Sequence, residues 1–535
     1  MTVIATAGHV DHGKSSLVLA MCGTDPDRLA EEKRRGMTIE LGFAHCSAPD
    51  GTVLSFVDVP GHADFVRTMV AGVSGVDIAM LVVDANEGWM PQTEEHLGVL
   101  EVLGVSHGLV ALTKCDKVGP HEIASRTAEI AQRLSLSPVR WHGTIPTSTV
   151  TSEGIDTLVK ALAGLAGSAE SLRDELGRPR LFVDRVFTVA GAGTVVTGTL
   201  EGAELSRGHD ITVARTGRIV RIRDIQTHGA SVDAGTPGTR CAVNVTGSGA
   251  DDIRRGDALV PAGAWHMTDV FDASFTVLHG AGALRRRRGY SLHVGTNDQL
   301  ASVRIIGGDA ITAGGAGHVR VRFDEALPLT PGDRFLLRDP GTGTTVGGGV
   351  IADVDPVDRI SRATPDGTIE SQTKGRGWMP VDEVRRLTGR ALPEVADGMW
   401  ADAATVDATR AWMDAIRAME PQDPETDPVA LRVLGAGVTP EPCTERDTVR
   451  RLVQRGILFE HDGIAFHRDV LDGLAGVLSG LWTARPDGFT MSQLREALGI
   501  TRRHAVPLAT CLDKRGWTRR SGDVRTPGPR ARADV

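Results

Sequence analysis

The 535-residue chain carries few of the marks of a secreted or membrane protein. Its six cysteines (Cys22, Cys46, Cys115, Cys241, Cys443 and Cys511) are scattered, and no two form a CxxC pair. Neither a disulfide framework nor a zinc site is expected, and a reducing, cytoplasmic compartment is. No apolar run approaches the roughly 20 residues that span a bilayer. The best stretch is bracketed by Asp77 and Asp84. The start, Met1-Thr2-Val3-Ile4, has no basic leader and no apolar core, so no signal peptide is expected.

What is present is the composition of a globular protein. Hydrophobic residues make up 41% and charged residues 24%, which excludes wholesale disorder. The length predicts roughly three to four domains. Glycine is abundant at 64 residues, pointing to tight turns in β-rich regions or to phosphate-binding loops. The net charge of -9 hides an asymmetry. From residue 491 to 535 there are ten basic and four acidic residues, a net +6 against -15 for the rest. Such a contrast suggests a polyanion-binding terminus on an acidic body, although composition alone favours a solvated charged face.

Residues 2–7 (TVIATA) read as a short buried strand. Gly8-His9-Val10-Asp11-His12-Gly13-Lys14-Ser15 follows, and then a helical run beginning Ser15-Ser16-Leu17. GxxxxGKS between strand and helix is a phosphate loop. Its glycines turn backbone N–H groups onto phosphate oxygens, and the helix N-terminus adds partial positive charge. Lys14 can reach the β- and γ-phosphates, and the Ser15 hydroxyl can ligate Mg²⁺. The strand VLSFVD ends at Asp58, a carboxylate suited to the magnesium shell, and Gly61 can approach the γ-phosphate. A third strand, AMLVVDA, shows no obvious ligand. A fourth ends in Thr113-Lys114-Cys115-Asp116, which resembles the guanine-reading NKxD motif of GTPases with Thr in place of Asn. A carboxylate at Asp116 accepts from guanine N1–H and its 2-amino group together, a donor pair adenine lacks, so GTP/GDP is expected over ATP. The Lys114 stem can cover the base. Ser148, Thr149 and Val150 stand where GTPases place a second guanine loop.

Between the first two strands, Asp27 to Ile39 (DRLAEEKRRGMTI) resembles the effector loop of translational GTPases. The resemblance makes Thr38 the threonine that ligates Mg²⁺ only with GTP bound, a switch of the order–disorder kind. It makes His62, directly after Asp58-Val59-Pro60-Gly61, the residue that orients the attacking water, with Val10 and Ile39 flanking it.

From about residue 180 to 260, and again from 270 to 351, short alternating strands separated by turn residues predict two β-barrels. The glycine clusters GAGTVVTG and GTGTTVGGG open no helix and are expected to be barrel turns. Residues 187–198 (FTVAGAGTVVTG) resemble the second domain of elongation factor Tu, part of the platform for the acceptor end of aminoacyl-tRNA. The N-terminal string, Val183-Asp184-Arg185-Val186-Phe187 and Thr239-Arg240-Cys241-Ala242-Val243-Asn244-Val245 resemble, more narrowly, the bacterial selenocysteine-specific elongation factors. That resemblance implies an amino-acid pocket in which Arg185 and Arg240 supply positive charge, Asp184 orients them and Phe43 lines the site. A selenol is ionised at neutral pH, so fixed positive charge in a partly dry pocket tells it from serine.

Past Asp353 a polar linker leads to helical patterns at 380–418. Leu452-Val453-Gln454-Arg455-Gly456-Ile457 and Leu512-Asp513-Lys514-Arg515-Gly516-Trp517 form a weak repeat, a helix end with a glycine cap and a strand start. Helix, turn and hairpin suggest winged helices. The last unit resembles the winged helix with which the selenocysteine factors grip a hairpin in selenoprotein mRNA. Arg502, Arg503 and His504 are expected to begin its recognition helix, and Arg519, Arg520 and Arg525 to lie on or beside its wing. An isolated winged helix would equally fit a DNA reader.

The expected architecture is multidomain: an α/β P-loop GTPase domain at 1–176, β-barrels at 177–264 and 265–355, and a winged-helix RNA-binding region at 356–535 with its last unit at about 476–535. The resemblance implies a monomeric, ribosome-stimulated GTPase that uses Mg²⁺. It would deliver selenocysteinyl-tRNA to the ribosome at UGA codons while bound to the mRNA hairpin, with no membrane partner. A general aminoacyl-tRNA carrier, a non-catalytic RNA-binding regulator and a GTPase subunit of a metabolic enzyme are the rival readings.

Overall fold

The computed structural model describes residues 2–26, 41–59, 76, 78–166, 174–189, 193–247, 250–286, 289–361, 363–374, 376, 379–392, 399–401, 403, 406, 458–461, 464–467 and 474–531. These form two compact units. One comprises Met1–Gln372 with Val381–Glu394, the other Thr373–Pro380 with Val395–Val535.

The first unit begins with a six-stranded sheet: β1 (Thr2–Ala7), β2 (Gly42–Ser47), β3 (Val53–Asp58), β4 (Ile78–Asp84), β5 (His107–Thr113) and β6 (Arg140–Pro146). Its order is β2-β3-β1-β4-β5-β6, with β2 antiparallel to β3 and the other pairings parallel. Every residue of β1 and β4 is buried, as expected of parallel strands covered on both faces. On one face Leu17 and Val18 of α1 (Lys14–Cys22) pack with Leu158 and Leu162 of the helix Ile155–Leu165. On the other, Leu97, Val99 and Leu100 of α2 (Pro91–Val102) pack on Ala79, Leu81 and Val83. Truncating one such leucine to alanine costs about 2–5 kcal/mol. Because β1, β3, β4 and β5 run parallel, the phosphate loop, Asp58, Asp84 and Thr113 all stand at one carboxyl edge of the sheet, where open α/β sheets bind ligands.

Two closed six-stranded barrels follow. In the first, the circuit is Asp210–Val213, Ala258–Val260, Arg180–Phe182, Gly193–Glu201, Arg240–Thr246 and Arg218–Thr227, which pairs back to the first strand. The strand Arg185–Val189 is an added flap on Gly193–Glu201. The second barrel joins Met267–Val277, Ala316–Pro328, Asn297–Ile306, Gly289–Val294, Arg334–Arg338 and Thr345–Asp353 around Phe271, Phe275 and Phe335. Arg180 binds Glu201 in its own barrel and Asp333 in the next, at 2.6–2.9 Å, and donates to the Pro328 carbonyl.

The glycines depart from expectation. Gly347, Gly348 and Gly349 lie inside the strand Thr345–Asp353, and Gly198 inside Gly193–Glu201. They are not turns. A Cβ on Gly349 would fall 1.7 Å from the Ser274 carbonyl oxygen, and one on Gly198 2.2 Å from that of Phe182. Glycine is required there because neighbouring backbones come too close for a side chain.

In the second unit, helices Ala475–Ala484, Met491–Leu498 and Arg502–Lys514 pack against a three-stranded sheet of Phe489–Thr490, Val524–Pro527 and Thr518–Ser521. This is a winged helix. A capping box between Thr490 and Gln493 opens the middle helix and Gly499 closes it. Leu458–His461 and Ile464–His467 form a further hairpin. The first copy of the sequence repeat, residues 452–457, lies outside the described residues, as does the helical pattern at 408–419.

Candidate nucleotide site and interdomain pocket

The phosphate loop needs its glycines. Gly8 has φ +131, and a Cβ there would meet the Val82 carbonyl oxygen at 2.2 Å. Gly13 has φ +86 and starts α1. The Lys14 ammonium donates to the Gly8 and His9 carbonyls at 3.0 and 2.8 Å, which curls the loop around the point where a phosphate would sit. Ser16 is exposed in the first turn of α1. Ser15 Oγ donates to Asp58 Oδ2 at 2.6 Å, and Thr6 Oγ1 to Asp58 Oδ1 at 2.7 Å. A hydroxyl and a carboxylate at this distance are hard oxygen donors, and they fit Mg²⁺. Thr38, Gly61 and His62 lie outside the described residues.

Two supports of the loop carry no local sequence signal. Gln92 Oε1 accepts from the Val10 N–H, and His96 Nδ1 from the Gly8 N–H, both at 3.0 Å. Both side chains come from α2, more than 80 residues downstream. Burial pushes His96 down to about 3 and His12 down to about 4, and it lowers His9 as well. His96 is therefore neutral, which lets its Nδ1 accept.

On the guanine side Ser148 Oγ donates to Asp116 Oδ1 at 2.6 Å, fixing the carboxylate. Thr149 and Val150 are exposed beside it. Lys114, at φ +56, pairs with Asp84 and donates to the Asp11 carbonyl, both at 2.7 Å. Thr113 is turned inward. Its hydroxyl is buried and donates to the His12 carbonyl at 2.7 Å, so threonine here joins the two loops. Asp84, on the strand that showed no ligand in sequence, is the second surprise. Burial opposes its charge, yet Lys114 and the Asn86 amide hold its carboxyl below the usual range. A polar residue at the carboxyl end of a parallel strand was the available signal.

Where the nucleotide domain meets the first barrel, four expected residues come together. The Arg240 guanidinium lies 3.7 Å from the centre of the Phe43 ring. It binds Asp184 through Nε at 3.0 Å and Nη2 at 2.8 Å. Arg185 lies 5.8 Å from the same ring and donates to the Leu41 carbonyl at 2.8 Å. One carboxylate and two guanidiniums leave the pocket net positive, at the root of the effector segment.

In the winged helix, Arg502 is exposed at the start of the third helix, and His504 shares a hydrogen bond with Thr501 at 3.1 Å. The Arg503 side chain lies outside the described residues. Arg519 and Arg520 are exposed on the wing. Arg525 is not. It is only 7% exposed and grips Asp513 with Nε and Nη2 at 2.9–3.2 Å, so it holds the wing to the helix.

A phosphate loop and guanine loop on an α/β sheet, followed by two closed barrels, are the parts of a translational GTPase. Residues 1–168 match the family model of the elongation factor Tu GTP binding domain, and residues 482–526 that of the elongation factor SelB winged helix. The selenocysteine-specific elongation factor of Desulfomicrobium baculatum is 36% identical over 72% of this chain. That of Escherichia coli (strain K12) is 33% identical over 75%. The match spans 63% of the length of each of these two relatives. Elongation factor 1-alpha of Methanobrevibacter smithii is 30% identical over 66% of this chain and 97% of its own length. Among solved structures, a bacterial selenocysteine-specific elongation factor EF-Sec shares the fold, with TM-score 0.68 at 24% identity over 98% of this chain and 100% of that one. Translation elongation factor SelB from Methanococcus maripaludis, in complex with the GTP analogue GppNHp, gives 0.56 at 25% identity over 66% and 80%. The chain belongs to the family of translational GTPases that holds elongation factor 1-alpha and the selenocysteine-specific elongation factors.

Proposed function

We propose that the protein is a cytoplasmic, monomeric elongation factor that carries selenocysteinyl-tRNA to a ribosome reading UGA. Its winged helix holds a hairpin in the selenoprotein mRNA, with GTP as the timer. The domains are those drawn from the sequence: 1–176 for GTP, 177–264 and 265–355 for the charged tRNA, and 356–535 for the mRNA. The observation that carries the reading is the pocket of Phe43, Asp184, Arg185 and Arg240. Two arginines held by a carboxylate, a ring and a backbone carbonyl suit a selenolate and offer little to an uncharged serine hydroxyl.

GTP sits in the phosphate loop, with Lys14 against its β- and γ-phosphates and Asp116 reading guanine. Mg²⁺, when bound, neutralises phosphate charge between Ser15, Asp58 and Thr38. His62 orients the water on the ribosome, and hydrolysis releases the tRNA. Exposed Arg502, Arg519 and Arg520 hold the hairpin, which raises the effective concentration of the factor at one codon. The experiment is retention of charged tRNA on the GTP-loaded protein. Selenocysteinyl-tRNA is expected to be retained over the same tRNA charged with serine; equal retention removes the reading in favour of a general carrier.

A further inference from the structure

The pocket contains a residue to which the sequence assigned no role, although it lies within the segment FTVAGAGTVVTG. Thr197 lies on the strand Gly193–Glu201, opposite Ala242 of Arg240–Thr246 and Arg185 of the flap. It is 3% exposed. Its hydroxyl donates to Asp184 Oδ1 at 2.5 Å and accepts from Arg240 Nη2 at 2.8 Å. Its backbone carbonyl accepts from the Asp184 N–H at 2.8 Å. Threonine, aspartate and arginine thus close a ring. Arg240 is fixed along its Nε–Nη2 edge by Asp184 and Thr197, and across its face by Phe43. Among the described residues its Nη1 group makes no hydrogen bond, and the side chain keeps 26% exposure.

We propose that Thr197 is a positioning residue of this pocket, its hydroxyl setting Asp184 and Arg240 so that the Nη1 edge of the guanidinium is offered to an anionic amino-acid side chain. The inference rests on the reading of the pocket given above and deepens it. A paired arginine is otherwise a poor anion site, because its carboxylate partner repels the same anion. The ring resolves this conflict by holding the carboxylate on the far edge. Without the hydroxyl, Asp184 and Arg240 form a simple two-body pair. Nη2 then loses an acceptor in a partly dry site, and the guanidinium is free to turn about its stem.

The test uses the full chain loaded with GTP and Mg²⁺, as wild type, Thr197→Val and Thr197→Ser. Protection of the ester bond gives the dissociation constants of selenocysteinyl-tRNA and of the same tRNA charged with serine. Thr197→Val is expected to weaken the selenocysteinyl complex at least tenfold and the seryl complex less than threefold. Thr197→Ser, which keeps the hydroxyl, returns both to within threefold of wild type. GDP affinity stays unchanged in all three, which a general loss of structure would not allow. Thr197→Ala removes the same hydroxyl with less bulk and carries the same expectation if valine is not tolerated. A wild-type preference retained in Thr197→Val or Thr197→Ala overturns the role of Thr197 alone. A wild type with no preference overturns the reading of the pocket itself.

Discussion

The Thr113 hydroxyl donates to the backbone carbonyl of His12 across 2.7 Å, so the strand that leads into the guanine loop is fastened to the phosphate loop. Losing that bond leaves a buried carbonyl without its donor, a cost of about 1–2 kcal/mol. Thr113→Val is therefore expected to weaken GDP and GTP alike by roughly tenfold. Equilibrium titration with a fluorescent guanine nucleotide measures it, and unchanged affinity for both nucleotides would show that the tie has no energetic role.

His62 is expected to act in turnover and not in binding. His62→Ala should keep GTP affinity within a few-fold while ribosome-stimulated hydrolysis drops by about 10²–10⁴, the usual contribution of a positioned proton-handling group. Equal stimulated rates in the two proteins would take His62 out of the mechanism.

Arg520 and Arg525, five residues apart, should behave oppositely. Arg525→Ala leaves the half-buried Asp513 carboxylate with the Thr518 hydroxyl but without its cation, and is expected to cost about 3 kcal/mol of stability in the winged helix, seen as a lowered Tm. Arg520→Ala should leave Tm unchanged, weaken binding to the mRNA hairpin, and reduce the slope of log affinity against log salt by about one. A stable Arg525→Ala protein with the same loss of RNA affinity would reverse the assignment.

The buried histidines predict an acid sensitivity. His96 and His12 are held neutral in the fold, down to about 3 and about 4, whereas in the unfolded chain they take up protons near 6.5. The unfolded state thus binds more protons below pH 6.5, and stability falls as pH drops from there toward those lowered values. Between pH 6.5 and 5 the loss is about 2 kcal/mol per histidine. His96→Gln, which keeps an acceptor for Gly8, should flatten the decline of Tm over this window. An unaltered slope would mean that His96 is protonated in the fold.

Much of the nucleotide site was legible in the sequence because its chemistry demands fixed local spacing. The turn at Gly8 and Gly13, the Lys14–Ser15 pair and Asp58 each sit within one strand–loop junction. Gln92 and His96 were not legible, since they reach the loop from a helix that only the folded sheet brings close. The same limit explains Asp84, whose partner Lys114 is 30 residues away. Both barrels followed from alternation and turn residues, yet Gly347 to Gly349 were misplaced. A glycine needed for strand proximity looks, in sequence, like one needed for a turn. Arg525 lies on the wing as expected, but its bond to Asp513 was not legible for a related reason. Charge alone does not tell an arginine aimed at a phosphate from one already holding Asp513.

The junction at Arg180 has a mechanical corollary. One guanidinium is clasped by an acid from each barrel and held firmly protonated, and separating the barrels would strand three charges in a dry seam. Arg180 thus ties the two barrels to each other. A reorientation of the nucleotide domain against the barrels would have to be absorbed at its faces with them, where Arg185 and Arg240 meet Phe43 and where Arg334 and Leu336 meet the helix Pro91–Val102. The first of these faces holds Phe43, Asp184, Arg185 and Arg240, so on the proposed reading a movement there would also reshape the site offered to the amino acid.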